Sequence, residues 1–224
     1  LDYDKGVGGK QSYGGKVNDS KSDSEYRSFL KCSIENALAV TKSDAHVYYW
    51  CDQKYIGMLQ GLFAELGLEN KRVCLWIKGS ANPTPGVAYN KCYEPCVYAI
   101  RGKPFLSPVS LNFSEVLNKE IAPSGNKLLD DTLDVIDLWL AKRVNGQEYV
   151  HPTQKPVTLH ERPLKRSTKP GATILDLFGG SGSTLISADA MKRICYMVEA
   201  EPVFVDVIIQ RYEQTAKTKA RKIA

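Results

Sequence analysis

Apolar positions fall into two rhythms along the chain. Tyr26, Phe29, Leu30, Ile34, Ala37 and Leu38 recur near a 3.6-residue period, which predicts a helix over 25–41. Ser22 and Glu25 stand in front of it at capping-box spacing. Tyr55, Ile56, Leu59, Leu62, Phe63 and Leu66 predict a second helix over 53–66, closed by Gly67. Between and after these lie short apolar runs: 45–51 (AHVYYWC), 71–78 (KRVCLWIK) and 96–101 (CVYAIR). Unbroken runs of this kind suit strands buried on both faces. Beyond residue 150 the alternation resumes, with a strand at 173–178, a helix at 184–191, a strand at 194–199 and a last helix opened by Pro202. Strand and helix therefore alternate, and the pattern predicts a mostly parallel α/β sheet.

Other stretches break the rhythm. Residues 1–24 are rich in Gly, Ser, Lys and Asp and read as a mobile loop. Residues 79–95 and 102–150 are dotted with Pro, Asn and Gly, and 134–140 fits a helix or a strand.

Composition narrows the class. The 224 residues are 43% hydrophobic and 25% charged, the balance of an ordinary globular protein. No stretch approaches the roughly 20 apolar residues of a membrane span. The net charge of +5 is unevenly spread. Residues 141–170 carry Lys142, Arg143, Lys155, Arg162, Lys165, Arg166 and Lys169 against Glu148 and Glu161, and the tail from Arg211 is basic as well. A basic patch on a near-neutral body suits a polyanion such as nucleic acid; a solvated surface is the plainer alternative. Most of the six cysteines (Cys32, Cys51, Cys74, Cys92, Cys96 and Cys195) sit in apolar runs and read as small buried hydrophobes. Cys92 and Cys96 have no further ligands nearby, so no metal site is expected. His151 and His160 likewise read as structural.

The chemistry concentrates in 173–184, TILDLFGGSGST. An apolar strand runs into an acid, then a Gly-rich turn, then a helix start. Gly179, Gly180 and Gly182 let the backbone bend and approach a ligand closely. Glu199 ends the next strand, placed to bond ribose hydroxyls. A pyrophosphate would sit over the helix N-terminus, and Asp176 would set a negative charge beside it. An acid there suits a cationic ligand instead, such as the amino and sulfonium groups of S-adenosylmethionine. A tight turn with a solvated acid is the structural alternative.

These residues resemble a known family. Asp176–Thr184 (DLFGGSGST) resembles the S-adenosylmethionine motif of the amino-group DNA methyltransferases, which modify adenine N6 or cytosine N4. His151–Pro156 (HPTQKP) is similar to the motif that precedes the cofactor loop in the circularly permuted β group. Tyr93-Glu94-Pro95 resembles another motif of that group, Val198–Pro202 its ribose-binding acid, and Leu1-Asp2-Tyr3 the continuation of its catalytic Asp-Pro-Pro-Tyr-Asn. The resemblance spans nearly the whole chain and extends to small phage-type methylases.

The resemblance implies a Rossmann-like α/β methyltransferase sheet in one domain. Its parts would be a loop at 1–24, a target-side half at 25–102, a target-recognition insertion at 103–150 and a cofactor-binding half at 151–224. It assigns S-adenosylmethionine to Asp176, Phe178, Gly179, Gly180, Gly182, Glu199, Thr153, Gln154 and Lys155, and makes Tyr93 a candidate to stack on a flipped base. Lys142, Arg143, Lys165 and Arg166 become candidates for DNA phosphates. Double-stranded DNA is the implied partner, a membrane is not, and a homodimer is left open. A cytoplasmic enzyme, bacterial or phage-encoded, is expected, with adenine N6 preferred as the commoner activity.

Two departures accompany the resemblance. Asp-Pro-Pro-Tyr is absent, so the catalytic residues are expected upstream of Leu1, together with a central strand, and these residues alone are expected to be inactive. Pro163 falls inside the helix expected after 151–156. A proline there costs roughly 3 kcal/mol, so that helix is expected to start late or kink. Two other readings stay open. One is a truncated or decayed domain that binds cofactor or DNA without catalysis. The other is a nicotinamide-dependent oxidoreductase, disfavoured by Asp176 and the 151–156 motif.

Overall fold

The structure, a computed structural model, describes residues 20–78, 86–108, 136–144, 150–151 and 154–223. They group into two compact units. One comprises the described parts of 1–40, 143–161 and 170–224, the other those of 41–142 and 162–169.

Four strands make the sheet of the second unit: β1 (Ala45–Trp50), β2 (Glu69–Ile77), β3 (Tyr93–Arg101) and β4 (Leu138–Leu140), in the order β1-β3-β2-β4. β2 and β4 are parallel, but β3 runs antiparallel to both β1 and β2. The pattern predicts a mostly parallel sheet; β1, β2 and β4 do run the same way, and the reversed β3 makes the sheet mixed. The physical reason lies in the connections. Strands that run in the same direction need a crossover, and α2 (Ile56–Glu65), entered through a 3-10 turn at Gln53–Tyr55, supplies one between β1 and β2, which flank β3. Residues 78–92 join β2 to β3, and β3 runs back between β1 and β2. Residues 138–140 settle as strand because they pair with Leu75–Ile77. α2 packs on β2 and β3, burying Leu59, Leu62 and Phe63 with Val97 and Ala99, while Trp76 is buried on the opposite face of the sheet beside Trp50. Each Leu, Val or Phe side chain buried in this way contributes about 1.5–3 kcal/mol.

The first unit holds β5 (Thr173–Asp176) and β6 (Ile194–Met197), paired in parallel, with α4 (Ser183–Ala190) as the crossover between them. α5 (Pro202–Ala216) follows, with its proline in the first turn where the missing N–H costs nothing. Arg211, the first base of the basic stretch, lies within this helix. α1 (Asp23–Val40) belongs to this unit too and buries Leu30 and Ile34. Its capping box forms as the spacing predicts: Ser22 N donates to Glu25 Oε2 at 2.8 Å and Glu25 N to Ser22 Oγ at 3.3 Å. The expected loop at 1–24 lies outside the described residues as far as residue 19.

α3 (Val157–Ser167) begins on time, against the expected late start, and carries Pro163 in its interior. The proline removes one N–H, the donor to the Leu159 carbonyl. Buried Leu159 and Leu164 hold the helix by packing on either side of that break. Among the described residues no helix is long and apolar enough to cross a membrane.

Candidate functional site

β5 ends at Asp176, and the chain turns through Leu177–Gly182 into α4. Asp176 Oδ1 accepts the Phe178 N–H at 3.0 Å, a local turn bond made through one oxygen of the carboxylate. Gly182 takes φ +75°, and a Cβ there would sit 3.1 Å from Ile208. Both the left-handed backbone and the close helix require glycine.

Glu199 is the keystone of the turn. Its Oε2 accepts the Gly180 N–H at 2.7 Å and its Oε1 accepts the Glu201 N–H at 2.9 Å. One carboxylate thus ties the glycine turn to the start of α5. Gly179 N donates to Val198 O and Gly182 N to Gly179 O, both at 2.8 Å. Arg211, from α5, donates to the Ser181 carbonyl.

The 151–156 motif packs against the same turn. The buried His151 ring meets Phe204 edge-on, with centroids 4.4 Å apart, and lies 3.5 Å from where a Cβ on Gly180 would be. Gln154 is buried, and its Oε1 accepts the Val150 N–H at 3.0 Å. Lys155 is half-buried. Thr153 lies outside the described residues. His160 Nε2 lies 3.0 Å from Ser183 Oγ at the start of α4. Burial first, and the Lys155 charge second, lower its pKa to about 3, so the ring is neutral at physiological pH. Phe178 is half exposed, its ring 5.9 Å from Phe29 of α1.

The first unit therefore brings Asp176, Phe178, Gly179, Gly180, Gly182, Glu199 and Gln154 around one turn. Sequence reasoning missed two supports, Arg211 and the His160–Ser183 pair. Arg211 was counted only as charge, although its spacing from Phe204 and Ile208 places it on α5.

The turn also discriminates between ligands. A pyrophosphate bound in a glycine turn draws on free backbone N–H groups of that turn. The amides of Gly179, Gly180 and Gly182 are all engaged within the protein, one of them by a carboxylate. Two acids with backbone glycines between them suit a ligand that combines a cationic end with ribose hydroxyls. The residues present fit S-adenosylmethionine.

In the second unit, Tyr93 opens β3 at the end of the sheet where β1 and β2 finish. Its hydroxyl donates to Gln53 Oε1 at 2.8 Å. Lys91 Nζ lies 5.6 Å from the Tyr93 ring centroid and pairs with Asp52 Oδ2 at 2.8 Å. Hydrogen bonds from the Lys54 N–H and from Lys91 hold the Asp52 carboxyl below its usual range. Of the phosphate candidates, Lys142 and Lys165 are exposed, and Arg143 and Arg166 are half-buried. Arg166 donates to the Ser107 carbonyl.

Comparison with known proteins is consistent with this geometry. Type II methyltransferase M2.DpnII of Streptococcus pneumoniae is 38% identical over 95 residues, 41% of this chain. The match spans about a third (35%) of that relative's length. The M1.HpyAVI–SAM complex superposes with a TM-score of 0.66 at 20% identity, over 85% of this chain and 84% of that one. The cytosine-N4-specific PvuII DNA methyltransferase gives 0.62 at 18% identity, over 88% and 74%. At these identities the two structures show the fold, a methyltransferase α/β fold with a mixed sheet. The family model described as DNA methylase matches residues 5–211, and the chain belongs to that family, the amino-group DNA methyltransferases.

Proposed function

We propose that the protein moves a methyl group from S-adenosylmethionine to an exocyclic amine of a base in double-stranded DNA, adenine N6 in preference to cytosine N4. The observation that carries the reading is the closed glycine turn, with Asp176 on one side and Glu199 on the other. Asp176, Phe178, Gly179, Gly180, Gly182 and Glu199 hold the cofactor, supported by Thr153, Gln154 and Lys155. The bound cofactor supplies an electrophilic methyl on a sulfonium. Tyr93 stacks on the base once it is flipped out of the duplex. Lys142, Arg143 and Lys165 contact phosphates, and 103–150 reads the site. Family membership and the likeness to a type II methyltransferase support a place in restriction-modification. The preference for adenine rests on its being the commoner activity among proteins with these motifs.

Calorimetry tests the cofactor assignment. The expected result is binding of S-adenosylmethionine and no binding of NAD. Asp176→Asn keeps an acceptor for the Phe178 N–H and removes only the charge, so the fold should persist while affinity falls by about 1.5–3 kcal/mol. NAD binding without S-adenosylmethionine binding would overturn the reading.

A further inference from the structure

We infer that Arg166 and His46 are positioning residues for target recognition. Together they fasten the first residues of the 103–150 segment to the four-stranded sheet, so site discrimination depends on them. This rests on the methyltransferase reading above.

The fastening has several independent points, all within the second unit. β3 leaves the sheet through Gly102, at φ +63°, where a Cβ would run into the Asp44 carboxylate. The Lys103 N–H donates to Asp44 Oδ1 at 2.7 Å. His46, on edge strand β1, places Nε2 2.7 Å from the Phe105 carbonyl and Nδ1 2.9 Å from the Tyr98 hydroxyl. A carbonyl only accepts, so Nε2 carries the proton, and in the neutral ring Nδ1 accepts from Tyr98. Burial keeps the imidazole below its ordinary range, against the pull of the Phe105 carbonyl. Two residues on, the Ser107 N–H donates to Arg166 O at 2.9 Å, and the Arg166 guanidinium donates to Ser107 O. Lys169 lies 4.7 Å from the Phe105 ring centroid. Tyr48 stacks on Tyr98 at 4.6 Å and meets Ser167 Oγ at 2.5 Å, which locks the end of α3 onto β1.

Residues 138–141, later in the segment, are held as well. Trp76 Nε1 donates to Ala141 O at 2.8 Å, and Arg162 donates to Leu138 O at 3.3 Å. Residues 103–107 and 138–141 are therefore both held by side chains of the sheet and of α3. Binding loops work when a rigid scaffold fixes their ends, because a misplacement of about 1 Å already costs a site its function. Arg166 is spent on this fastening, which separates it from exposed Lys165 one residue earlier.

The test uses the full-length protein with Arg166→Gln, Arg166→Leu, His46→Gln and His46→Leu. Unmethylated genomic DNA is treated with each, and the modified bases are located by sequencing. KM and kcat are measured on the preferred site, melting curves are recorded, and DNA affinity is followed against salt. Arg166→Gln keeps a donor for Ser107 and loses the charge. Its salt slope and its ratio of on-site to off-site methylation should stay within about twofold of wild type. Arg166→Leu and His46→Leu should lower that ratio about tenfold, the discrimination of one base contact, by raising KM with kcat retained. His46→Gln, whose amide can still donate to Phe105 O, should restore it. A slope about 0.9 shallower in Arg166→Gln, with discrimination intact, would mean a phosphate contact and overturn the inference. Wild-type discrimination in both leucine variants would overturn it too. A wild-type protein that methylates nothing defeats the underlying methyltransferase reading instead.

Discussion

Replacing Glu199 with Gln tests whether its carboxylate builds the glycine turn as well as serving a ligand. Each oxygen accepts one backbone N–H, from Gly180 at 2.7 Å and from Glu201 at 2.9 Å. An amide offers one oxygen and one NH2, so whichever way it turns, a donor faces a donor. A hydrogen bond to a charged group contributes about 1.5–3 kcal/mol. Glu199 is half-buried, so water relieves part of the loss, and the lower end applies. A loss of about 1.5 kcal/mol in a chain of this size lowers the melting temperature by about 3–6 °C. Glu199→Ala leaves both N–H groups to water and should cost about as much. The assay is thermal melting without cofactor, followed by calorimetry with it. If Glu199→Gln melted within about 1 °C of wild type while cofactor affinity collapsed, the carboxylate would serve the ligand alone.

Other consequences can be measured alongside. His160 titrates at about 3 in the folded protein and near 6.5 unfolded, so below pH 6.5 the unfolded chain takes up a proton that the folded one refuses. Stability should fall as pH drops from about 6.5 towards 3, by up to about 1.4 kcal/mol per unit. In denaturant titrations at pH 7.5 and 5.5, His160→Gln should show the smaller acid loss, and parallel losses would contradict the assignment. Lys165→Ala should weaken binding to all DNA sequences alike and flatten the salt slope by about 0.9; a changed sequence preference with an unchanged slope would count against a phosphate contact. Gly182→Ala should cost about 1–2 kcal/mol for its left-handed backbone, more if Ile208 cannot give way, and differential scanning calorimetry would register it.

Much of this was legible in the sequence because local chemistry decides it. The Ser22–Glu25 box, Gly67 after α2 and Pro202 at the start of α5 act within a few residues, and the structure follows them. The glycine turn was legible for the same reason, since acid, glycines and second acid are tied to strand ends. The direction of β3 was not, because its apolar run reads alike in either sense and its partners on β1 and β2 are set by tertiary pairing. The late start expected from Pro163 did not follow, because the propensity penalty is local, whereas Leu159 and Leu164 offset it through packing. Arg211 and His160 escaped because their partners, Ser181 and Ser183, lie 30 and 23 residues away. A charge count cannot reveal such pairings, nor that Arg166 reaches Ser107.

The most direct measurement is transfer of tritiated methyl from S-adenosylmethionine to unmethylated DNA by the full-length protein, with the product digested to nucleosides and separated. Label in N6-methyl-2′-deoxyadenosine, lost when Asp176→Asn and Glu199→Gln are combined, is the expected result. Label in a ring-carbon-methylated cytosine, or transfer that survives the double substitution, would contradict the assignment of this chain's chemistry.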